Sequence, residues 1–172
     1  MKDIIVPEWL EEMCGEGEKK WLANIPAAVA ELVERWQLEL EPPFEREPGP
    51  SWVAPVTRRD GARAVLKLGM PHMEAEHEID ALRFLDGDPT ARLLEADVEL
   101  NAMLLERCEP GTILRACPEE EQDEIIAQLL PRIWRLPPPE YPFRPLSTMI
   151  EYWIEEALED EEQWTDRALI QE

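Results

Sequence analysis

Cysteine and histidine are scarce in this sequence, which has three cysteines and two histidines among its 172 residues. The cysteines, Cys14, Cys108 and Cys117, are odd in number and far apart along the chain. A disulfide framework needs paired cysteines, and a structural zinc site needs closely spaced cysteine and histidine ligands. The sequence therefore predicts neither a disulfide-bonded scaffold nor a zinc site.

Basic residues and long apolar runs are few as well. The chain has 17 basic and 39 acidic residues and a net charge of −22. Nonspecific binding to nucleic acid or to an anionic membrane needs a cationic surface, and a membrane span needs about 18 apolar residues in a row. The residues after Met1 contain no long apolar stretch, so a signal peptide is not expected there. We expect a cytoplasmic protein with no nucleic-acid or membrane partner, whose acidic excess serves solubility or attracts a cationic ligand.

The apolar residues that are present suffice for a globular core. They make up 44% of the chain and include seven tryptophans, enough for one ordinary domain or for a lobe and part of a second. Their spacing predicts two helices, then strand, strand, strand, helix, strand, strand, and finally helices. The second helix should begin at Pro26, which suits a first helical turn. The helix within the strand region should span residues 73–85, and the last one residues 146–170. Without a βαβ crossover, the sheet should be antiparallel.

A change of composition at Cys108-Glu109-Pro110-Gly111 indicates a linker. Strands precede this segment, and only helices are predicted after it. We therefore divide the chain into a helical extension over residues 1–35, a sheet-containing lobe over residues 36–107, and a linker with further helices over residues 108–172.

Lys67 lies inside the apolar strand Ala64-Val65-Leu66-Lys67-Leu68-Gly69. An unpaired ammonium in apolar surroundings costs several kcal/mol, so an acidic partner is expected. The predicted helix that follows offers Glu74, Glu76 and Glu78 as candidate partners. The competing interpretation is that Lys67 extends to water from an edge strand while Glu78 is simply solvated.

Four segments in order carry a family resemblance: Trp52-Val53-Ala54-Pro55-Val56, Val65-Leu66-Lys67-Leu68-Gly69, residues 76–85, and Leu104-Leu105-Glu106-Arg107 before Pro110-Gly111. In these segments the chain resembles small-molecule kinases of the aminoglycoside phosphotransferase group, in the branch of streptomycin 6-kinase and hydroxyurea phosphotransferase. The resemblance implies an α+β fold. It consists of a protein-kinase-like N-terminal lobe, with a five-stranded antiparallel sheet plus a helix, followed by helices of an incomplete C-terminal lobe.

The resemblance also implies an ATP site. Lys67 would contact the α- and β-phosphates and be oriented by Glu78. Backbone groups from Glu106 to Cys108, between the lobes, would hold adenine. Val65 and Met103 would line the adenine pocket or simply belong to the core.

The loop over the phosphates would span residues 45–51. It has one glycine, Gly49, and two acidic residues, so it departs from a glycine-rich phosphate loop. Ser51 offers the only hydroxyl there.

The resemblance places the catalytic base in a His-Gly-Asp…Asn loop and the magnesium ligand on a later aspartate. Neither motif occurs in these 172 residues, so we predict no catalytic residue and no metal ligand here. The expected protein is a truncated kinase, inactive alone, whose family phosphorylates a hydroxyl of a small, cationic molecule with ATP and Mg²⁺. The alternatives are a non-catalytic nucleotide-binding or protein-interaction module, and an acidic protein that binds a basic partner. Apolar residues within 119–170 predict self-association.

Overall fold

The computed structural model describes residues 4–44 and 49–159. The elements in chain order are α1 (Glu8–Met13), α2 (Lys19–Arg35), β1 (Leu38–Leu40), β2 (Ser51–Arg58), β3 (Arg63–Gly69), a 3-10 turn (Met73–Ala75), α3 (Glu78–Leu85), β4 (Leu93–Asp97), β5 (Ala102–Glu106), a second 3-10 turn (Leu114–Ala116), α4 (Glu119–Ile133) and α5 (Leu146–Glu159). The chain forms two compact units, Met1–Pro137 and Pro138–Glu172. The predicted boundaries at residues 36 and 108 stay predictions. Within the described ranges, no helix combines the length and apolar character that crossing a membrane requires.

The five strands form one antiparallel sheet in the order β1-β2-β3-β5-β4. The predicted α+β class, with a five-stranded antiparallel sheet and a helix between its third and fourth strands, is confirmed. β3 lies between β2 and β5, so Lys67 sits on a central strand and not on an edge.

The two faces of β3 have different surroundings. Ala64, Leu66 and Leu68 are at most 1% exposed and belong to the hydrophobic core. Val65 and Lys67, which alternate with them, are half-buried. Because successive side chains of a strand point to opposite faces, the core lies on one face of the sheet and Lys67 on the other.

The N-terminal helices cover the core face. Leu10 of α1 and Ile25, Val29 and Leu32 of α2 join the same buried cluster as the inward side chains of β2, β3 and β5. Trp52 is fully buried in that cluster, and its Nε1–H donates to the backbone oxygen of Ile5 at 2.9 Å. Burial of this face therefore fixes both helices and the segment before them on the sheet.

Two predicted helix starts were wrong. α2 begins at Lys19, and Pro26 lies inside it. Proline prefers the first helical turn, but here the apolar stripe begins earlier, and burial of Ile25 holds the added turns on the sheet. α3 begins at Glu78 instead of Met73, and residues 73–75 form a 3-10 turn with no buried side chain. The predicted last helix is described only as α5, Leu146–Glu159, and its residues beyond 159 lie outside the described residues.

Arg35 in the last turn of α2 ties this helix to the turn between β4 and β5. Its guanidinium contacts both Asp97 and Glu31, and the Asp97 side chain is 12% exposed. Asp97 also accepts the backbone N–H of Leu100 at 2.9 Å. Burial raises the pKa of Asp97, but the hydrogen bonds from Leu100 and Arg35 outweigh it and hold this pKa below its usual range.

Asp97→Asn should destabilise the protein by about 1 kcal/mol at neutral pH, because a charge-assisted hydrogen bond is lost. The native pKa is lowered, so this contribution is present above the unfolded-state pKa and is lost as pH falls through the lower native value. Urea unfolding followed by circular dichroism should show a larger difference at pH 7 than at pH 3. Glu95→Gln, at an exposed position of the same strand, is the control. A difference as large at pH 3 as at pH 7 would contradict this account.

Candidate functional site

Lys67 and Glu78 form an ion pair on the sheet face opposite the core. The Lys67 Nζ contacts Glu78 Oε1, and the two side chains are 20% and 29% exposed. Glu78 is the first residue of α3, where the helix dipole favours a carboxylate. Of the partners considered from sequence, the structure therefore brings Glu78 to Lys67. The interpretation with Lys67 on an edge strand is wrong, because β3 is central.

Apolar side chains surround the base of the lysine. Val53 on β2 and Met103 on β5 lie directly opposite Lys67 in the two ladders. Directly opposed residues share a face, so both project beside the lysine stem, and Met103 is fully buried. The ammonium thus emerges from an apolar surface, with the Glu78 carboxylate beside it.

Ser51 lies at the same end of the sheet. It pairs with Gly69 in the β2–β3 ladder and is 5% exposed. Alternation along β2 places it on the face of Val53, and therefore of Lys67. Residues 45–48, which form most of the predicted phosphate loop, lie outside the described residues.

A cavity of about 520 Å³ opens beside the segment that follows β5. Its lining residues are Phe44, Arg63, Val65, Ala91, Leu105, Glu106, Arg107, Cys108, Glu109, Pro110 and Gly111. Val65 lies two residues before Lys67 on the same face, which corresponds to roughly 7 Å along the strand. A ligand seated in this cavity could therefore extend toward the ammonium.

Glu106 and Cys108 have different hydrogen-bonding states in this cavity. The Glu106 carboxylate accepts the Arg92 N–H at 2.9 Å, and the Glu106 N–H donates to the Arg92 oxygen at 2.9 Å. Cys108 is exposed, and its backbone N–H has no hydrogen-bond acceptor within residues 4–44 and 49–159. Glu106 is thus held by β4, whereas the Cys108 amide is available to a ligand.

Sequence reasoning missed some of the lining. Leu105 lines the cavity, whereas Met103, which was considered from sequence, is not among the lining residues. The signal was available, because Leu105 lies two residues after Met103 on the predicted strand and therefore on the same face. Phe44 and the Arg63–Glu109 pair, at 2.7 Å, have no comparable sequence signal, since they depend on how a loop and a linker approach the sheet.

No group of three or more histidine, cysteine, aspartate or glutamate side chains is arranged to hold a metal ion in the part of the chain that the structure describes. We therefore assign no metal ligand to these residues.

The sequence of this chain is similar to those of known proteins. The chain is 38% identical to streptomycin 6-kinase of Streptomyces griseus over 141 residues, which covers 79% of this chain and 46% of that kinase. It is 37% identical to streptomycin 6-kinase of Streptomyces glaucescens over 126 residues, covering 73% of this chain and 41% of the relative. It is 36% identical to hydroxyurea phosphotransferase of Kitasatospora aureofaciens over 129 residues, covering 73% and 38%.

The chain thus spans less than half the length of these relatives. No solved structure matches it at a significant level. The family model for aminoglycoside/hydroxyurea antibiotic resistance kinases matches residues 35–171. That match and the three relatives together show that the chain belongs to the aminoglycoside/hydroxyurea antibiotic resistance kinase family.

Proposed function

We propose that this chain supplies the ATP-binding part of a small-molecule kinase. Lys67, held by Glu78, contacts the phosphates, and the backbone from Glu106 to Cys108 holds the adenine ring. The observation that carries the proposal is the contact between Lys67 Nζ and Glu78 Oε1 on a central strand of the sheet.

The electrostatics of the pair support a phosphate ligand. A lysine ammonium has three N–H donors, and Glu78 Oε1 occupies one. The remaining donors need acceptors, and an anionic oxygen forms the stronger, charge-assisted hydrogen bond. Ser51, on the same face, adds a hydroxyl at this end of the sheet.

The cavity beside the linker supports a flat heterocyclic base. Val65 and Leu105 contribute apolar walls, and the free N–H of Cys108 can donate to a ring nitrogen. The volume of about 520 Å³ lies within the range typical of small-ligand pockets. The residues present therefore fit ATP, which would supply the transferred phosphoryl group.

The acceptor is a second part of the proposal. Relatives are named for streptomycin and hydroxyurea, and we propose a small hydroxylated, cationic molecule for this chain. Residues 1–172 contain no His-Gly-Asp motif, so we assign no catalytic base and expect no turnover by this chain alone. Binding of Mg²⁺ remains a prediction for the complete enzyme.

Calorimetric titration of the whole chain with ATP tests the proposal, with adenosine as the comparison ligand. We expect saturable binding of ATP and at least tenfold weaker binding of adenosine, because only ATP carries the phosphates that Lys67 would contact. An absence of heat with ATP up to millimolar concentration would contradict the proposal. Binding without any phosphorylation of streptomycin or hydroxyurea would favour a non-catalytic nucleotide-binding module.

Exposed apolar residues on the last two helices favour a protein-interaction role in addition. On α4, Ile126 and Ile133 are 42% and 44% exposed, and on α5, Trp153 and Ile154 are 44% and 50% exposed. We propose that the chain self-associates through residues 119–170, of which residues 160–170 lie outside the described residues. Large exposed apolar surfaces favour association because burial removes them from water.

Self-association predicts a mass that rises with concentration. Multi-angle light scattering should show oligomers at about 100 µM, and the double variant Ile126→Lys with Trp153→Lys should shift the mass toward the monomer. A wild-type chain that remains monomeric over the whole concentration range would exclude this interaction.

A further inference from the structure

Asp88 follows α3 and is fixed to its end. The Asp88 N–H donates to the oxygen of Leu85, the last residue of α3, at 3.0 Å. Asp86 between them has a left-handed backbone conformation and donates its own N–H to Leu82. The Asp88 carboxylate therefore follows any movement of α3.

Two arginines at the end of α4 converge on this carboxylate. Arg132 Nε lies 2.8 Å from Asp88 Oδ1, and Arg132 Nη2 contacts the same oxygen. Arg135 Nη2 lies 2.6 Å from Asp88 Oδ2, and its Nε donates to the Arg132 oxygen at 2.7 Å. The hydrogen bonds from Arg132, and then those from Arg135, hold the pKa of Asp88 below its usual range although burial opposes the shift.

The packing of α4 is only partial. Four large apolar side chains of α4, Ile125, Ile126, Leu130 and Ile133, are between 38% and 44% exposed, whereas Leu129 is half-buried. Packing is the usual source of helix stability in a protein. A carboxylate bound by two guanidinium groups can then contribute more to the position of α4 than an isolated surface pair would.

The same end of α3 also lies beside the residue that precedes β4. Gly87 has a φ of +77° and lies so close to Arg92 that an added Cβ would be 3.2 Å from the Arg92 Cβ. Arg92 is in turn held by the backbone and carboxylate of Glu106, the last residue of β5. The end of α3 is thus close to the sheet as well as tied to α4.

We propose that Asp88 is a positioning residue for the nucleotide site. By tying α4 to the end of α3, it fixes the placement of Glu78 at the start of the same helix, and through Glu78 that of Lys67. α3 has eight residues, about 12 Å along its axis, so a shift of its end would also displace Glu78. The role of Asp88 in ATP binding rests on the proposed function. The connection that Asp88 makes between α4 and α3 does not depend on it.

Asp88→Asn, which removes the charge and keeps the size, tests this in the whole chain. Hydrogen exchange of the α3 and α4 amides should become about three- to tenfold faster, as expected for the loss of ion pairs between exposed side chains. The affinity for ATP should fall by a similar factor. Adenosine affinity should stay unchanged, since adenosine does not reach Lys67. Asp88→Glu should restore much of the ATP affinity. Raising the salt concentration to 0.5 M should lower the ratio of ATP to adenosine affinity less in Asp88→Asn than in the wild type.

Asp80→Asn is the matched control, because Asp80 pairs with Arg83 within α3 at 3.2 Å. Unchanged exchange of α4 in Asp88→Asn would overturn the proposal, and so would faster exchange with an unchanged ratio of ATP to adenosine affinity. If Asp88→Asn does not fold, Arg135→Gln with the same measurements decides. A wild-type chain that binds no ATP contradicts the proposed function, and the exchange of α3 and α4 alone then decides whether Asp88 connects them.

Discussion

Lys67→Ala should lower the affinity for ATP by about 100-fold or more. The substitution removes the charge-assisted hydrogen bonds to phosphate, each of which contributes roughly 1.5–3 kcal/mol. It also leaves the Glu78 carboxylate, 29% exposed, without its ion-pair partner and therefore repulsive toward an anionic ligand. The expected loss of about 3 kcal/mol corresponds to more than a 100-fold change in dissociation constant. Calorimetric titration with ATP measures it directly.

Two further variants separate the role of Lys67 from a general effect of charge. Lys19→Ala removes an ion-paired lysine at an exposed position and should leave ATP affinity unchanged. Glu78→Gln should weaken ATP binding by roughly tenfold, since the ammonium remains but is no longer held by a carboxylate. Adenosine affinity should stay the same in all of them. ATP affinity that is unchanged in Lys67→Ala would exclude the proposed contact between Lys67 and the phosphates.

Trp52→Ala should destabilise the protein by about 3–5 kcal/mol, the largest effect on stability that we expect. The side chain is fully buried in the core between the sheet and the N-terminal helices. Its removal leaves a cavity, and it also breaks the hydrogen bond from Nε1 to the oxygen of Ile5. A typical domain has a free energy of unfolding of about 5–15 kcal/mol, so this variant loses a large part of it. Urea unfolding followed by circular dichroism measures the change.

Trp52→Phe keeps most of the apolar volume but removes the N–H donor, and we expect a smaller loss of about 1–2 kcal/mol. Trp134→Ala is the control, because Trp134 is 75% exposed and its removal should change stability by about 0.5 kcal/mol at most. Equal effects of Trp52→Ala and Trp134→Ala would show that the core on this face of the sheet is not the main source of stability.

The sheet could be predicted from sequence because its signals are local. The alternation of Ala64, Leu66 and Leu68 with Val65 and Lys67 identifies β3 and both of its faces. An acidic partner for Lys67 could also be expected, since a lysine in an apolar strand needs one. The choice of Glu78 over Glu74 and Glu76 comes from the family resemblance and not from the residues alone.

The starts of α2 and α3 could not be predicted in the same way. Pro26 has the properties of a helix start, but tertiary burial of Ile25 decides where α2 lies. The Asp88 cluster joins residues 44 and 47 positions apart, and no local pattern reports such a contact. The cavity wall contributed by Phe44 depends likewise on the path of a loop.

The two faces of β3 have opposite surroundings. A change in the length of this strand should therefore be tolerated less well than a change in its composition. One residue inserted or deleted before Lys67 would exchange the faces, placing the ammonium in the apolar core and a leucine toward the ligand. Substitutions at Val65 and Lys67, in contrast, leave the core side of the strand untouched. Point substitutions on one face of β3 can therefore alter the proposed nucleotide site without disturbing the core, while insertions and deletions within the strand would disrupt both.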